Sequence, residues 1–351
     1  MQPGALPQLR FLCFGVGAIG TYLGGSLALA GHKVVFVERP SVAAEVRAGG
    51  LTLDLGTGGA RRVEHPQVVE SLEAALADGP FDAALLAVKA FDTQSVIDSL
   101  RPFIAVLPPV LSFQNGVENE PLLASLLGHE RVIAGTVTTA VGRKGPGSII
   151  VERLRGIGVA TNHPLGLTLQ SVLDAAGLRA RGYANPHAMK WSKMLTNLLA
   201  NASSAILDLP PAQIFADPGL FAMEVHQLRE ALRVMAAQGI PVVDLPSTPV
   251  RALALAVRGL PPRFSQPLLR RAVGGGRGAK MPSFHIDLYG GRGKSEVDYL
   301  NGAVARFGKR LHIETPINTT LTQILLQLTN GDLPLDTYTH QSKKLLAAIP
   351  T

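Results

Sequence analysis

Three polar side chains stand out in an otherwise apolar stretch. In MKWSKMLTNLLANASS, Met189–Ser204, the residues Lys193, Asn197 and Asn201 recur at every fourth position. A helix would place this ammonium and these two carboxamides along one stripe, with Met194, Leu195, Leu198, Leu199 and Ala202 covering most of the remainder. Asparagine is a poor helix former because its amide competes for backbone partners. Solvated faces usually carry Glu, Lys, Gln or Arg instead, so the stripe points to a polar strip lining a cleft; a plain solvent face is the competing reading.

A second chemical signal is local. Gly15-Val16-Gly17-Ala18-Ile19-Gly20 follows an apolar strand-like run and opens a helical one. Gly15 would permit a tight turn, Gly17 would let backbone approach a pyrophosphate, and Gly20 would let helix and strand pack closely. The free amides and the positive dipole end at Ala18–Gly20 would face the phosphates. The next strand ends in Glu38-Arg39. An acid there suits the ribose hydroxyls of NAD and an arginine suits the 2′-phosphate of NADP; the basic neighbourhood favours NADP. Lys89 and Asn115 close two further strand-like runs, where ligands bind in open parallel sheets, although a solvated lysine and an ordinary Asn-Gly turn would look the same. Ser295-Glu296-Val297-Asp298 resembles a capping box, with Ser295 at the N-cap and Glu296 in the first turn.

These residues need elements to position them. Leu9–Phe14, Lys33–Val37, Phe81–Val88, Val110–Gln114 and Arg131–Ala140 read as strands, with helices at Ala18–Ala30 and Asp92–Leu100 between them. Alternation of this kind builds a parallel sheet with helices on both faces. Shorter strands and a helix at Leu167–Ala176 complete the first domain. From His187 the pattern turns helical, over His187–Ser204, Leu220–Gln238, Ser295–Phe307 and Pro316–Thr329, with Asn185-Pro186 marking the boundary. The interval from Pro241 to Gly293 is rich in proline and glycine, with a helix expected near Pro249–Arg258 and a basic glycine loop at Gly274–Gly278. The expected fold is therefore α/β: an N-terminal Rossmann-type dinucleotide-binding domain over residues 1–184, then an all-α C-terminal domain over 185–351.

Composition narrows the function. A chain of 351 residues exceeds most single cores. Its net charge of +7 is spread along the sequence, which suits an anionic small ligand and lacks the concentrated stripe that nucleic acid would require. The single Cys13 cannot form an intrachain disulfide, which fits a reducing, cytoplasmic setting. Phe11–Ala30 imitates a signal peptide or span but is better read as strand, turn and buried helix, so no membrane partner is expected. The histidines show no ligand spacing and there is no GxSxG elbow, so neither a metal site nor nucleophilic hydrolysis is expected.

Together these segments resemble the ketopantoate reductases (2-dehydropantoate 2-reductases) over nearly the whole chain. The resemblance is carried by GVGAIG at Gly15–Gly20, Glu38-Arg39, AVKAFDT at Ala87–Thr93, QNGVEN at Gln114–Asn119, WSKMLTN at Trp191–Asn197 with Asn201, PSFHID at Pro282–Asp287 and SEVDYLNG at Ser295–Gly302. It implies a Rossmann domain, a helical domain, and a cleft holding NADPH and a small 2-oxo acid. It further implies Lys193 and Glu296 as catalytic residues and Asn115, Asn197, Asn201 and Ser283 as substrate contacts. The cofactor would lie against Gly15, Val16, Gly17, Ala18, Ile19, Gly20, Arg39, Lys89, Asn115 and Glu296. Two departures stand beside it: Glu38 occupies a position where the family often has a small residue, and the spacing from Ser283 to Glu296 is unusual.

The expected reaction is hydride transfer to the keto carbon of 2-dehydropantoate, giving pantoate for pantothenate biosynthesis, with Lys193 as general acid. The alternatives are an NAD(P)-dependent reductase of another small 2-oxo acid and a non-catalytic NADP-binding regulator. A homodimer is compatible with the apolar second domain.

Overall fold

The run Phe11–Phe14 is fully enclosed, every residue of it at most 7% exposed, and it is the centre of the sheet on which the N-terminal half is built. The computed structural model describes residues 6–56, 58–259 and 281–350. Its strands are β1 (Arg10–Phe14), β2 (Lys33–Val37), β3 (Leu51–Asp54), β4 (Ala60–Val63), β5 (Gln67–Val69), β6 (Ala83–Leu86), β7 (Val110–Ser112), β8 (Val132–Val137), β9 (Ala140–Gly145), β10 (Ser148–Arg153), β11 (Ile157–Ala160) and β12 (Ala180–Tyr183). The main sheet has the order β12-β11-β8-β7-β6-β1-β2-β5. From β5 to β8 every pairing is parallel, and strands buried on both faces read as unbroken apolar runs such as Ala83-Ala84-Leu85-Leu86. The parallel sheet expected from the alternating segments is present, and beyond β8 the sheet is extended by β11, antiparallel to β8, and by β12, parallel to β11.

A second sheet, β4-β3-β10-β9, was not legible from the periodicity. Its strands β3 and β4 have four residues each, and β4 is exposed from Ala60 to Arg62, so no apolar run marks β4. Between the sheets' strands lie helices, of which Ala18–Leu29 is the most enclosed, with Gly20 to Leu27 all buried.

Two compact units divide the chain. The first holds the residues up to Gln114, Glu118–Lys190 and Leu245–Thr248; the second holds Asn115–Val117, Trp191–Asp244 and the residues from Pro249 on. The second unit is helical among its described residues. Its longest helix, Pro218–Ala237, starts where Asp217 accepts hydrogen bonds from the Gly219 and Leu220 amides, with proline at the first turn. Trp191 is buried and meets Phe307 edge-on at 5.2 Å. A polar network also lies inside. Glu230 accepts from the amides of Ile317 and Asn318 and from Asn318 Nδ2, and burial holds its carboxyl above the usual carboxylate range despite those bonds.

Two helix expectations are corrected. His187–Ser204 is two helices, Pro186–Leu198 and Asn201–Leu207, because Ala200 adopts a left-handed backbone with φ of 48°. The helix expected from Ser295 starts later, at Val297, with Glu296 at the N-cap. Ser295 Oγ accepts from the Val297 amide at 3.2 Å, and Asp298 pairs with Arg306 instead of completing a capping box. A helix does occupy Val250–Gly259, as the sequence indicated near Pro249–Arg258. The glycine loop at Gly274–Gly278 lies outside the described residues.

Candidate functional site

In the first unit the sheet order places the glycine turn at a topological switch. The chain runs outward from β1 to β2 and β5, then returns to β6 on the other side of β1. Crevices at such reversals, beyond the carboxyl ends of the strands, are where ligands bind in open α/β sheets. Gly15 follows β1 with φ of +89°, and an added Cβ would lie 3.7 Å from Val88 beyond β6 and 3.9 Å from Glu38 beyond β2. A Cβ on Gly20 would stand 2.0 Å from the Gly15 carbonyl oxygen, so only glycine lets the helix begin this close to the turn. On Gly17 a Cβ would meet nothing within 4 Å. The turn is therefore a backbone cradle, closed beneath and open above Gly17, and it fits a pyrophosphate. Val16, Ala18 and Ile19 complete it, with Gly17 at the helix N-cap and no side-chain cap to compete for the free amides.

Glu38 is the surprise of this cradle. Its side chain is 14% exposed; Oε2 accepts from the Val16 amide at 2.9 Å and Oε1 from the Arg39 amide at 2.9 Å. Arg39 also faces Oε1 through Nε at 3.6 Å, but its side chain is 83% exposed. The acid is thus fixed at the turn, while the cation extends from it. Cys13, beneath the turn, is fully buried, and burial together with the Glu38 charge pushes its thiol up to about 12.

Lys89 lies just beyond β6, where its backbone starts the short turn Ala90–Asp92. Gln114 lies just beyond β7, is buried, and donates through Nε2 to the carbonyls of Val88 (3.2 Å) and Lys89 (3.4 Å) and to Thr93 Oγ1 (2.7 Å). Thr93 in turn donates to Asn119 at 2.9 Å. Gln114, Thr93 and Asn119 were not singled out as site residues by sequence reasoning. Their signal was present, since all three fall within segments that carry the family resemblance, but a buried amide is invisible until strands β6 and β7 are paired.

The second unit gathers the remaining polar residues. Lys193 Nζ donates to Asn197 Oδ1 at 2.8 Å, and Asn197 Nδ2 donates to Asn115 Oδ1 at 3.0 Å. Lys193, Asn197 and Asn115 are each half-buried and form one connected group; of the expected stripe, only Lys193 and Asn197 share the helix Pro186–Leu198. Asn201 is placed differently. It is 4% exposed, opens the helix after the break, donates to the Asn197 carbonyl at 3.1 Å and reaches Ser283 Oγ at 3.5 Å. Its Oδ1 accepts from the Phe284 amide at 3.1 Å, which caps the helix Ser283–Tyr289. Asn201 therefore ties Ser283 to the Lys193 helix. Glu296 is 1% exposed at the N-cap of Val297–Arg310, and its carbonyl accepts from the Tyr299 and Leu300 amides.

The break that separates Asn197 from Asn201 is held by residues that sequence reasoning missed. Glu224, 1% exposed, accepts from the Ala200 amide at 2.8 Å and from Ser203 Oγ at 2.5 Å, and Gln227 donates to the Leu198 carbonyl at 3.0 Å. Glu and Gln three residues apart on a helix are ordinary in sequence; the buried Glu224 answers the left-handed Ala200, and Gln227 bridges the Leu198 carbonyl and Asn301.

Among the described residues no group of three or more His, Cys, Asp or Glu side chains could hold a metal ion, and no helix is long and apolar enough to cross a membrane.

Comparison with known proteins gives this arrangement a context. Residues 11–161 match the family described as ketopantoate reductase PanE/ApbA, and residues 185–329 match its C-terminal counterpart. The 2-dehydropantoate 2-reductase of Halobacterium salinarum is 28% identical over 334 residues, covering 90% of this chain and 98% of that protein. That of Pyrococcus horikoshii is 24% identical, covering 89% and 95%. A PanE/ApbA-family ketopantoate reductase structure from Ralstonia eutropha JMP134 superposes with a TM-score of 0.76 at 29% identity, covering 92% of this chain and 99% of that one. The fold is shared as well by D-mandelate dehydrogenase, solved with NADH and anilino(oxo)acetate, with a TM-score of 0.75 at 21% identity, covering 92% of this chain and 99% of that one.

Proposed function

Because the chain belongs to the ketopantoate reductase PanE/ApbA family, we propose that it reduces 2-dehydropantoate to pantoate with NADPH, the two-domain reading assigning residues 1–184 to the dinucleotide and 185–351 to substrate and catalysis. The observation that carries this reading is the linked trio Lys193–Asn197–Asn115, an ammonium joined to two carboxamides by hydrogen bonds of 2.8 and 3.0 Å.

The dinucleotide, when bound, supplies the hydride. Its phosphates would lie on the backbone of Gly15–Gly20, where Gly17 leaves open space, and Arg39 and Lys89 would meet the 2′-phosphate and neighbouring groups. Lys193 donates a proton to the oxo acid's carbonyl oxygen as negative charge develops there, a contribution of about 10²–10⁴-fold. Asn197 and Asn115 hold the substrate's carboxylate and hydroxyl so that the carbonyl is presented in one orientation. Asn201 and Ser283 complete the substrate contacts, and Glu296 stands as the second catalytic residue and a cofactor contact.

A second reading of the cofactor rests on one observation. The Glu38 carboxylate is fixed at the end of β2, where an acid suits the ribose hydroxyls of NAD, and it stands beside any 2′-phosphate drawn to Arg39. The deciding experiment is NADPH oxidation followed by absorbance with 2-dehydropantoate, then with a panel of other 2-oxo acids, each repeated with NADH. Turnover of 2-dehydropantoate with NADPH is expected. Faster turnover of another oxo acid replaces the substrate, a preference for NADH replaces the cofactor, and tight dinucleotide binding with no turnover on any acid leaves a binding protein.

A further inference from the structure

Lysine seldom lies inside a protein, and in this chain one does so three residues before the proposed acid. Lys190 is 6% exposed. Its Nζ lies 2.7 Å from Glu120 Oε1, itself 13% exposed, and donates to the carbonyls of Gln114 at 2.6 Å and Gly135 at 3.4 Å. Glu120 supplies the balancing charge, and the two carbonyls accept hydrogen bonds from the ammonium. They also share a location, since Gln114 follows β7 and Gly135 belongs to β8, side by side at the end of the sheet.

A buried ion pair is a poor device for stability, because desolvating two charges offsets much of their attraction and apolar pairs of similar size often serve as well. Its use is to fix geometry. The 2.6 Å bond from Lys190 falls on the carbonyl of the peptide that leads into Asn115, and the same Gln114 is held through its side chain to Val88, Lys89 and Thr93. The residue before Asn115 is therefore clamped at both its carbonyl and its amide. We propose that Lys190, charge-balanced by Glu120, is a positioning residue: it locks the Gln114–Asn115 peptide and so sets where the Asn115 carboxamide meets the Asn197–Lys193 pair. This rests on the reductase reading only for its effect on turnover; the anchoring itself does not depend on it.

The test removes both charges at once, in the Lys190→Met/Glu120→Leu double variant of the full chain, with Glu120→Gln as a volume-preserving companion should the double variant not fold. Four readouts are compared with the wild type: thermal melting, dinucleotide Kd, kcat and KM for 2-dehydropantoate, and hydrogen exchange of the peptide spanning Asn115–Val117. We expect melting close to wild type, dinucleotide Kd changed by less than about twofold, and kcat/KM lower by roughly 10- to 100-fold, as for a displacement of about 1 Å at a reacting geometry. Exchange over Asn115–Val117 should quicken by about tenfold as the turn loosens. For Glu120→Gln the same pattern is expected at about a third of the logarithmic effect.

Unchanged kcat/KM overturns the proposal, and so does a fall in dinucleotide affinity that matches the fall in kcat/KM, because that would be general damage. If the wild-type chain turns over no oxo acid, the reductase reading fails instead, and the exchange measurement alone decides: unaltered exchange over Asn115–Val117 rejects the anchor, and quickened exchange retains it.

Discussion

The two candidate sites are built by different means. The glycine cradle of the first unit is made of consecutive residues, Gly15 to Gly20, and its properties are those of backbone: a positive φ, an absent Cβ and a helix end. The polar group of the second unit draws on Asn115, Lys193, Asn197, Asn201 and Ser283, and its properties are those of side chains held by other side chains. A backbone site can fail only if the turn itself cannot form. A side-chain site fails whenever any support shifts, so it needs buried braces such as Glu224 and Gln227.

That contrast can be broken at several points. The largest effect is expected from Lys193→Ala, which should lower kcat by about 10²–10⁴-fold while leaving dinucleotide Kd within a factor of about two. Loss of dinucleotide binding to the same degree would erase the distinction between the two sites. Gly20→Ala should do the reverse. Its Cβ meets the Gly15 carbonyl at 2.0 Å, an oxygen that cannot move without rebuilding the turn. A destabilisation of about 3 kcal/mol, at the upper end for overpacking, should accompany at least a tenfold weaker dinucleotide Kd by titration. Wild-type affinity in this variant would mean that the turn is not the phosphate cradle.

Glu224→Ala probes the brace. It removes the acceptor of the Ala200 amide and the Ser203 hydroxyl inside the core, at an expected loss of about 3 kcal/mol. For a unit of this size that is a fall in Tm on the order of 6–12 °C, with weaker oxo-acid binding and little change in dinucleotide Kd. Ala200→Gly has the opposite sign. The left-handed φ of 48° penalises alanine, and glycine relieves it at some cost in unfolded-chain entropy, for a net gain of about 0.5 kcal/mol and a rise in Tm on the order of 1–2 °C. A fall in Tm instead would show that the break is not strained at Ala200.

Cys13 gives the smallest signal and reports on the first unit alone. Its thiol, pushed up to about 12 by burial and by the Glu38 charge, should resist alkylation near neutral pH until the unit opens. The folded pKa is raised above the ordinary thiol value of 9.0, so the folded state holds the proton more tightly. The associated stability is fully present below about pH 9 and is lost as pH climbs towards 12. Rapid labelling of the native chain at neutral pH would contradict the enclosed β1.

Some of this is legible in the amino-acid sequence. The switch-point strands announce themselves, because parallel strands buried on both faces must be apolar throughout, and so does the turn, because Gly15, Gly17 and Gly20 act through their own backbone. The sequence also marked Lys193 and Asn197, which one helix does align. The rest depends on contacts between residues far apart in the chain. The second sheet carries no apolar run to announce its exposed strand β4. The helix break at Ala200 depends on a glutamate 24 residues away, and the partner of Asn197 is Asn115, 82 residues away. The fate of Glu38, bonded to the Val16 amide instead of extending with Arg39, required the end of β2 to be brought against the turn. Periodicity reports which face a side chain takes along its own element; what it meets across elements is fixed by packing, which no local pattern encodes.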